Sequence, residues 1–488
     1  MKILLITPDY FCENIWDRFL KSLQLGLSPV LGLGYVAAAA EKAGHEVKIL
    51  DMAAQPTTRK NLALLLRQYE PDLIGFNLTN LTIDRGVLVA KFCKNIQPHT
   101  VIAVGGPAAE ILPEATLAHA CFDLGLRGEA DFTFVELLDY LSGKRKEKPE
   151  GLIVRENGGI NFYGEPALIL NLDEIPFPAR HLFKGQYMHI AARKKPFASM
   201  MTSRGCPYRC GFCSKVPNWC RLRAMSAGKV VEEFRTLSKQ GIKEVNLYDD
   251  TFTCQRQRTL DICQGLIEAK FDLIWAARTR LDSIDEELLK KMKEAGCYRL
   301  HLGIESGSDE ILKKMNKMIT REQIIKGMKL IKSFGYETVG YFLLGYPGET
   351  VATMEETRQL IKEIPLDYIE LNTFHPLPDS PVYQEMLAQG VEKVKNEWYD
   401  YMALKRKTLP VYHGDGVTPE QVEKYFYKIF REYYFSPRRI INFLRLINTG
   451  LRFKNYLRGF TRVILLYLTK SIYSFRKNEK IQEPSLKI

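Results

Sequence analysis

The amino-acid sequence predicts an α/β protein with two successive domains, a doubly wound parallel sheet and a partial (β/α)6 barrel, followed by a helical, basic C-terminal region. Short apolar runs alternate with helical patterns over residues 1–142, and a second series with six strand-like runs starts at residue 197. The chain of 488 residues is too long for one core, and 46% apolar with 26% charged residues excludes wholesale disorder. We expect a cytoplasmic protein, because neither a signal peptide nor a membrane-spanning stretch is evident.

The first domain, residues 1–142, is expected to be a flavodoxin-like sheet. Helical patterns such as LGYVAAAAEKAG separate its predicted strands, which are 2–7, 45–50, 72–78, 100–106 and 122–128. Sheets of this type bind ligands beyond the carboxyl ends of their strands. Residues 143–196 are assigned to a hairpin and a Pro-bearing linker.

The second domain, residues 197–385, carries six β/α units that indicate a partial TIM-like barrel. Its predicted strands are 197–205, 243–250, 273–279, 298–306, 338–347 and 368–376. Functional residues of such barrels lie at the C-terminal ends of the strands. Residues 386–488 form the helical C-terminal region.

A CxxxCxxC motif in SRGCPYRCGFCSK is the sharpest chemical signal, with Cys206, Cys210 and Cys213 just after the first barrel strand. Three thiolates on one short loop select an iron–sulfur cluster or zinc. A [4Fe–4S] cube would use three cysteines and leave its fourth iron open to a small molecule. A structural zinc site needs four ligands, and Cys220 could complete such a set. The spacing favours the cube and leaves zinc as the alternative.

The cysteine segment resembles the signature of the radical S-adenosylmethionine (SAM) superfamily. The resemblance includes Phe212 at the aromatic position before the third cysteine, and it implies that this ring lies near the adenine of SAM. It also implies a [4Fe–4S] cluster, an external electron donor of the flavodoxin or ferredoxin type, and reductive cleavage of SAM to a 5′-deoxyadenosyl radical. Contacts to SAM are implied at three later strand ends, with Asp250 favoured for the ammonium group. The residues there are Asp249, Asp250, Glu305, Ser306 and Gly345.

The N-terminal domain resembles that of the cobalamin-binding subclass, through LGLGYVAAAAEKAGHEV, GGPAAE and RGEADFTFVELL in that order. The resemblance implies that Gly105, Gly106 and Gly128 let the corrin and its nucleotide tail approach the backbone, and that Thr79 hydrogen-bonds the tail. The DxHxxG motif that supplies a cobalt ligand elsewhere is absent, so the lower axial environment is unassigned. The alternative is a domain of this shape that serves substrate binding or packing.

The net charge of +12 lies mostly at the end of the chain, where residues 433–488 hold twelve Lys/Arg and two acidic residues. An amphipathic helix is expected there. Residues 437–477 are predicted to contact the inner face of a membrane that carries anionic lipids. Its apolar face comprises Phe453, Tyr456, Leu457, Phe460, Ile464, Tyr467 and Leu468, and its basic row comprises Lys454, Arg458 and Arg462. The alternative is a helix docked on the barrel. Nucleic acid is disfavoured, because the apolar face suits lipid better than phosphate backbone.

The favoured function is methylation of an unactivated carbon on a hydrophobic small molecule or natural product. One SAM would methylate cobalamin, and a second would give the radical that removes hydrogen from the substrate. The family resemblance also admits cyclisation or rearrangement of a lipid or tetrapyrrole, as in anaerobic porphyrin cyclisation. The rival from another class is a zinc-stabilised binding protein.

Overall fold

A computed structural model describes residues 1–12, 26–156, 158–166, 168–185, 187, 191–214, 220–390 and 416–437, together with 440–461 apart from 442–445, 448–449 and 459–460. The described part forms two sheets, each covered by helices. This architecture confirms the predicted α/β fold class.

The first sheet has seven strands, of which the first five are parallel. They are β1 (Lys2–Thr7), β2 (Glu46–Asp51), β3 (Leu73–Asn77), β4 (Val101–Gly105), β5 (Leu124–Leu126), β6 (Leu152–Glu156) and β7 (Gly159–Tyr163). Their order is β2-β1-β3-β4-β5-β6-β7, which begins with the flavodoxin-like arrangement. The β6–β7 hairpin, expected from sequence within residues 143–196, pairs antiparallel with β5 and so covers the edge of the sheet.

Helices cover both faces of this sheet. They are α1 (Leu31–Lys42), α2 (Arg59–Tyr69), α3 (Ile83–Ile96), α4 (Pro107–Ile111), α5 (Pro113–Leu117) and α6 (Ala130–Leu141). Side chains alternate along β1, so Ile3 and Leu5 pack with α1 and α6, while Leu4 and Ile6 pack with α2 and α3. The uninterrupted apolar run of β1 is therefore explained by burial on both faces.

The second sheet has six parallel strands and curls into a partial barrel. Its strands are β8 (Phe197–Met200), β11 (Glu244–Leu247), β12 (Ile274–Thr279), β13 (Cys297–Glu305), β14 (Glu337–Leu344) and β15 (Tyr368–Thr373). Between β8 and β11, the segments β9 (Ser203–Arg204) and β10 (Arg223–Ala224) form a separate two-stranded antiparallel ribbon. The order in the barrel is β8-β11-β12-β13-β14-β15, with every neighbouring pair parallel. The six predicted barrel strands are confirmed, and each of their ends agrees within five residues.

The helices of the second domain lie around the outer face of the barrel or follow the C-terminal ends of its strands. They are α7 (Ala227–Lys239), α8 (Arg256–Ala269), α9 (Glu286–Glu294), α10 (Asp309–Lys314), α11 (Arg321–Ser333), α12 (Val351–Glu363), α13 (Pro381–Ala388) and α14 (Pro419–Tyr434). Outward strand residues such as Val245, Ala277 and Leu302 share one apolar core with these helices. The alternate residues face the interior of the barrel, which makes that interior polar.

The described part of the C-terminal region docks on the base of the barrel. Arg452 is fully buried and donates to both carboxylate oxygens of Glu337 at 2.7 and 2.8 Å. The hydroxyl of Tyr456 hydrogen-bonds that of Tyr368 on β15. The alternative prediction, a helix docked on the barrel, thus agrees with the described part of the C-terminal region. Phe453 and Leu457 nevertheless remain exposed. Four residues of the expected apolar face and one of the basic row lie outside the described residues: Phe460, Arg462, Ile464, Tyr467 and Leu468.

None of the helices within the described ranges is long and apolar enough to cross a membrane.

The two domains meet through α1 and the residues before it. Tyr35 donates its hydroxyl proton to the carbonyl of Met201 at 3.3 Å, and the Ser28 and Tyr248 hydroxyls lie 2.6 Å apart. The C-terminal edge of the first sheet is thereby joined to the mouth of the barrel.

Candidate active site

The three motif cysteines lie on the loop that follows the β9 segment, over the ends of β11 and β12. Cys206 Sγ is 3.9 Å from the Thr251 hydroxyl after β11, and Cys210 Sγ accepts from Arg280 Nη1 after β12 at 3.7 Å. Cys213 N–H donates to the carbonyl of Cys210 at 3.2 Å, which closes a tight turn. The sequence motif is therefore placed at the C-terminal mouth of the barrel, as expected.

No group of three His, Cys, Asp or Glu side chains converges on one point within the parts of the chain that the structure describes. A single zinc ion requires four donors at about 2.0–2.3 Å from one centre. A cube differs, because its irons occupy separate corners and each thiolate binds its own iron. The donor set of Cys206, Cys210 and Cys213 therefore fits a cube with one iron left open.

Arg280 is a site residue that the sequence analysis missed. It ion-pairs with Asp282 at 2.7 Å, donates to the carbonyl of Lys317 at 2.6 Å and stacks 3.8 Å above the Tyr208 ring. Arg280 thus places a fixed cation directly beside Cys210. Burial raises the pKa of the nearby Cys254 thiol, so this cysteine stays protonated at neutral pH.

Two of the residues expected at SAM face the cluster loop. The Phe212 ring packs with an apolar group that includes Tyr346 and Phe374, and the Lys317 ammonium lies 6.0 Å from its centroid. Glu305 ion-pairs with Lys317 at 2.8 Å and has φ +69°, a conformation uncommon for a residue with a side chain. This strained bulge brings the β13 end beside the loop.

The two acidic residues after β11 have different environments. Asp249 is fully buried and accepts from Thr202 N–H at 2.7 Å and from the Thr202 and Ser203 hydroxyls at 2.5 and 2.7 Å. It therefore anchors the chain that leads into the cysteine loop. Asp250 is exposed and lies beside Thr251.

Ser306 and Gly345 face neighbouring helices. The buried Ser306 hydroxyl is 3.1 Å from the Thr357 hydroxyl on α12. Gly345 has φ +84° and donates its N–H to Glu349, while a Cβ on it would meet Val422 of α14 at 3.3 Å. Burial raises the pKa of Glu349 to about 8, so it is protonated at neutral pH and stabilises the turn as a neutral group.

The four residues expected at cobalamin lie at one edge of the first sheet, after β3, β4 and β5. Thr79 is exposed, and the Gly128 N–H donates to Glu110 at 2.6 Å. Gly106 has φ +87°, and a Cβ there would lie 2.9 Å from the Leu78 carbonyl. Gly105 lines a cavity of about 60 Å³ between this edge, α1 and α6. Its wall is apolar apart from Asn77.

An ionic clamp, defined as Glu129 and Asp131 with Arg204 and Arg223, joins this edge to the cysteine loop. Arg204 donates to both oxygens of Asp131 at 2.8 and 2.9 Å, and Arg223 contacts Glu129 at 2.6 Å. The acidic pair directly follows Gly128, and Arg204 stands two residues before Cys206. The clamp was also missed from sequence.

Comparison with known proteins agrees with both halves of the site. A B12 binding domain model matches residues 25–138, and a radical SAM superfamily model matches residues 200–361. An uncharacterised methyltransferase of Pyrococcus horikoshii is 34% identical, over 95% of this chain and 98% of that protein. The cytidylyl-2-hydroxyethylphosphonate methyltransferase of Streptomyces wedmorensis is 28% identical, over 74% of this chain and 78% of that protein.

Among solved structures, the cobalamin-dependent SAM radical enzyme OxsB, with aqua-cobalamin and SAM bound, has a TM-score of 0.68. It is 19% identical, and the match covers 98% of this chain and 73% of that one, so the likeness concerns the fold.

A flavodoxin-like sheet clamped to a barrel with three cysteines at its mouth defines a two-domain class of radical enzymes. The chain belongs to the cobalamin-dependent radical SAM enzymes. This assignment confirms the predicted enzyme class, and the predicted cofactors are those of the family. The rival interpretation of a zinc-stabilised binding protein does not agree with it.

Proposed function

We propose that this enzyme transfers a methyl group to an unactivated carbon of a small molecule. The observation that carries the proposal is the ionic clamp. Asp131 and Arg204 connect the edge expected to hold cobalamin to the loop expected to hold the cluster, through two short hydrogen bonds. Charged, bidentate pairs of this kind fix geometry as well as adding stability. A reaction that uses both groups on one substrate requires such fixed spacing.

Each side chain has a defined task in this proposal. Cys206, Cys210 and Cys213 hold the cluster, and Arg280 donates a hydrogen bond to the Cys210 sulfur. Asp250 orients the ammonium group of SAM. When bound, the cluster and SAM supply a hydrogen-abstracting radical, and cobalamin supplies the methyl group. The cluster also requires an electron from an external donor of the flavodoxin or ferredoxin type.

The base of the barrel supports this chemistry by keeping water out. Arg452 and Tyr456 cover the ends of β14 and β15 from outside. A radical formed at the mouth would otherwise be quenched by solvent-borne hydrogen donors, and exclusion of water prevents such side reactions.

The proposal is tested by measuring two products of SAM in anaerobically reconstituted enzyme with a reductant. Methyl transfer yields S-adenosylhomocysteine, and radical formation yields 5′-deoxyadenosine. We expect both from the enzyme with cobalamin, and only 5′-deoxyadenosine without it. If cobalamin-loaded enzyme forms only 5′-deoxyadenosine, the methyl-transfer assignment is wrong and cyclisation or rearrangement takes its place.

The role of the clamp is tested by Asp131→Asn, with Asp139→Asn on the exposed side of α6 as the matched control. Because a small misplacement of reacting groups is costly, we expect methyl transfer to fall roughly tenfold or more in Asp131→Asn. The formation of 5′-deoxyadenosine should change much less. Equal losses of both products would assign the clamp to general stability.

A further inference from the structure

A half-buried arginine inside the barrel stands apart from the other arginines there. Arg278 lies on β12 two residues before Arg280, and the intervening Thr279 faces the other way. Residues two apart on a strand share a face and are separated by roughly 6–7 Å. Since Arg280 contacts Cys210 at 3.7 Å, Arg278 lies about one such step deeper in the barrel. It is therefore within the space between the cluster loop and the closed base.

The neighbours of Arg278 show that it points into the interior. Its guanidinium carbon is 3.9 Å above the Tyr248 ring centroid, and its Nη1 donates to the carbonyl of Leu247 at 2.9 Å. Burial raises the pKa of Tyr341 on β14 and of Glu370 on β15, and the positive charge of Arg278 opposes both rises, so both groups face it. Strands β12 and β15 are three places apart in the sheet, so only its concave face brings these groups together.

The ion pairing of Arg278 differs from that of two other interior arginines. Arg280 is ion-paired with Asp282, and Arg299 is ion-paired with Glu337 at 2.9 Å. Among the described residues, no carboxylate lies within ion-pairing distance of Arg278. A half-buried cation whose partners are a carbonyl, a phenol and an aromatic face retains its attraction for an anion.

The wall around Arg278 is polar as well. Asn246 Oδ1 and the Ser199 hydroxyl are buried and have no hydrogen-bond partner among the described residues. His301 Nδ1 lies 2.9 Å from the Tyr341 hydroxyl. A wholly apolar ligand would leave such buried groups without hydrogen-bond partners, which is unfavourable. The lining therefore favours a ligand with its own polar atoms.

We propose that Arg278 binds an anionic oxygen group of the substrate, either a carboxylate or a phosphoryl group, with Tyr248 and Tyr341 alongside. This inference rests on the proposed function, because it takes the barrel interior as the substrate site. It narrows the expected substrate from a hydrophobic molecule to one with an anionic end held deep in the barrel. The carbon that reacts would then lie towards the cluster loop.

The test uses three probes of similar shape: 3-phenylpropionate, phenyl phosphate and the uncharged 3-phenylpropionamide. Their binding to reconstituted holoenzyme is measured by calorimetry up to the solubility of each probe. The variants are Arg278→Gln and Glu370→Gln, with Arg235→Gln on the exposed face of α7 as the matched control. Iron, cobalt and thermal stability are measured on the same samples.

We expect one of the two anions to bind roughly tenfold or more tightly than the amide, since a charge-assisted pair contributes about 1.5–3 kcal/mol. Whichever anion binds better identifies the group as carboxylate or phosphoryl. Arg278→Gln should abolish the preference, Arg235→Gln should keep it, and Glu370→Gln should strengthen it by removing a competing carboxylate.

Equal binding of anion and amide, absence of binding by all three probes, or a preference that survives in Arg278→Gln would overturn the inference. These results are separate from a failure of the proposed function. That failure would appear as holoenzyme that lacks cobalt or iron, or that yields no S-adenosylhomocysteine.

Discussion

The two ends of the barrel use charged residues in opposite ways. At the base, the carboxylate of Glu337 is shared by Arg193 at 2.5 Å, Arg299 at 2.9 Å and Arg452 at 2.7 Å. Nearer the mouth, Arg278 and Glu370 face the interior and influence each other without a direct ion pair among the described residues. The barrel strands thus carry a shared ion network at the base and, nearer the mouth, charged groups without a direct ion pair among the described residues.

The contrast between the two ends of the barrel separates charged groups that stabilise the fold from charged groups that are placed to bind a ligand. A buried carboxylate surrounded by three guanidinium groups has little interaction left to offer a ligand. Nearer the mouth, by contrast, Arg278 has no carboxylate within ion-pairing distance among the described residues. Because strand ends at the mouth lead into the functional loops, selection for chemistry acts there and selection for packing acts at the base.

The largest expected effect concerns the mouth alone. Cys213→Ala removes one thiolate of the cluster, so cluster iron and 5′-deoxyadenosine formation should fall to background. The melting temperature of the protein before reconstitution should change little, because Cys213 is only half-buried. Iron analysis and product assays check this prediction. A variant with near-normal cluster iron would show that another residue serves as the third ligand.

The next effect concerns the base. Glu337→Gln leaves three buried or half-buried guanidinium groups without their shared carboxylate, and removal of one partner from a buried ion pair costs about 3–5 kcal/mol. The free energy of unfolding, measured by denaturant titration, should fall by that amount. The control is Glu363→Gln, which breaks an exposed pair with Arg321 and should cost less than about 1 kcal/mol. Similar losses in both variants would refute the contrast between base and surface.

The base network also predicts a pH dependence. Burial alone would raise the pKa of Glu337, but Arg299, Arg193 and Arg452 together lower it to about 2 from the ordinary value of 4.5. The carboxylate then contributes its full stability above pH 4.5, and loses it progressively as the pH falls towards 2. Glu337→Gln should therefore remove part of the acid sensitivity between these values. An unchanged pH profile of unfolding would contradict this linkage.

The smallest expected effect concerns the exposed part of the tail. The membrane contact predicted from sequence remains a prediction, and Phe453 and Leu457 are the described residues of the expected apolar face that are exposed. Replacing both by Ser should lower retention on vesicles that contain anionic lipid several-fold, with little change in melting temperature. Since Arg452 and Tyr456 are engaged with the barrel, they are left intact in this test. Equal retention of both proteins would remove the membrane hypothesis for this part of the chain.

The fold could be predicted from sequence because both domains follow simple periodicities. Apolar runs such as 2–7 alternate regularly with helical patterns, and a parallel strand buried on both faces has few other interpretations. The cysteine spacing likewise places its chemistry without help from the structure. The preference for Asp250 over Asp249 at SAM remains a prediction; the structure shows that Asp249 is buried, and neighbouring residues at a strand end point in opposite directions.

The clamp and the interior arginine could not be predicted in the same way. Asp131 and Arg204 are 73 residues apart, and no local pattern reports their contact. Arg278 resembles any other arginine until the strand order shows what lies across the interior. Ser306 and Gly345 carry the family motif, yet their side-chain and Cβ positions face α12 and α14. Motif spacing therefore identifies a strand end, while the fold decides which of its residues faces the ligand.

The central claim is that one chain holds two cofactors in separate regions, and one spectroscopic experiment tests it. Wild type, Gly105→Leu and Cys210→Ala are reconstituted anaerobically with iron, sulfide and hydroxocobalamin, desalted, and analysed for iron, cobalt and visible absorption. A Cβ on Gly105 would have only the Leu126 carbonyl within contact, at 3.8 Å, so a larger side chain can extend into the cavity without disrupting the strand.

We predict that wild type retains both chromophores, that Gly105→Leu loses cobalt and keeps iron, and that Cys210→Ala loses iron and keeps cobalt. Wild type that retains the cluster without corrin, after repeated desalting, would contradict the account and leave the first domain as a scaffold.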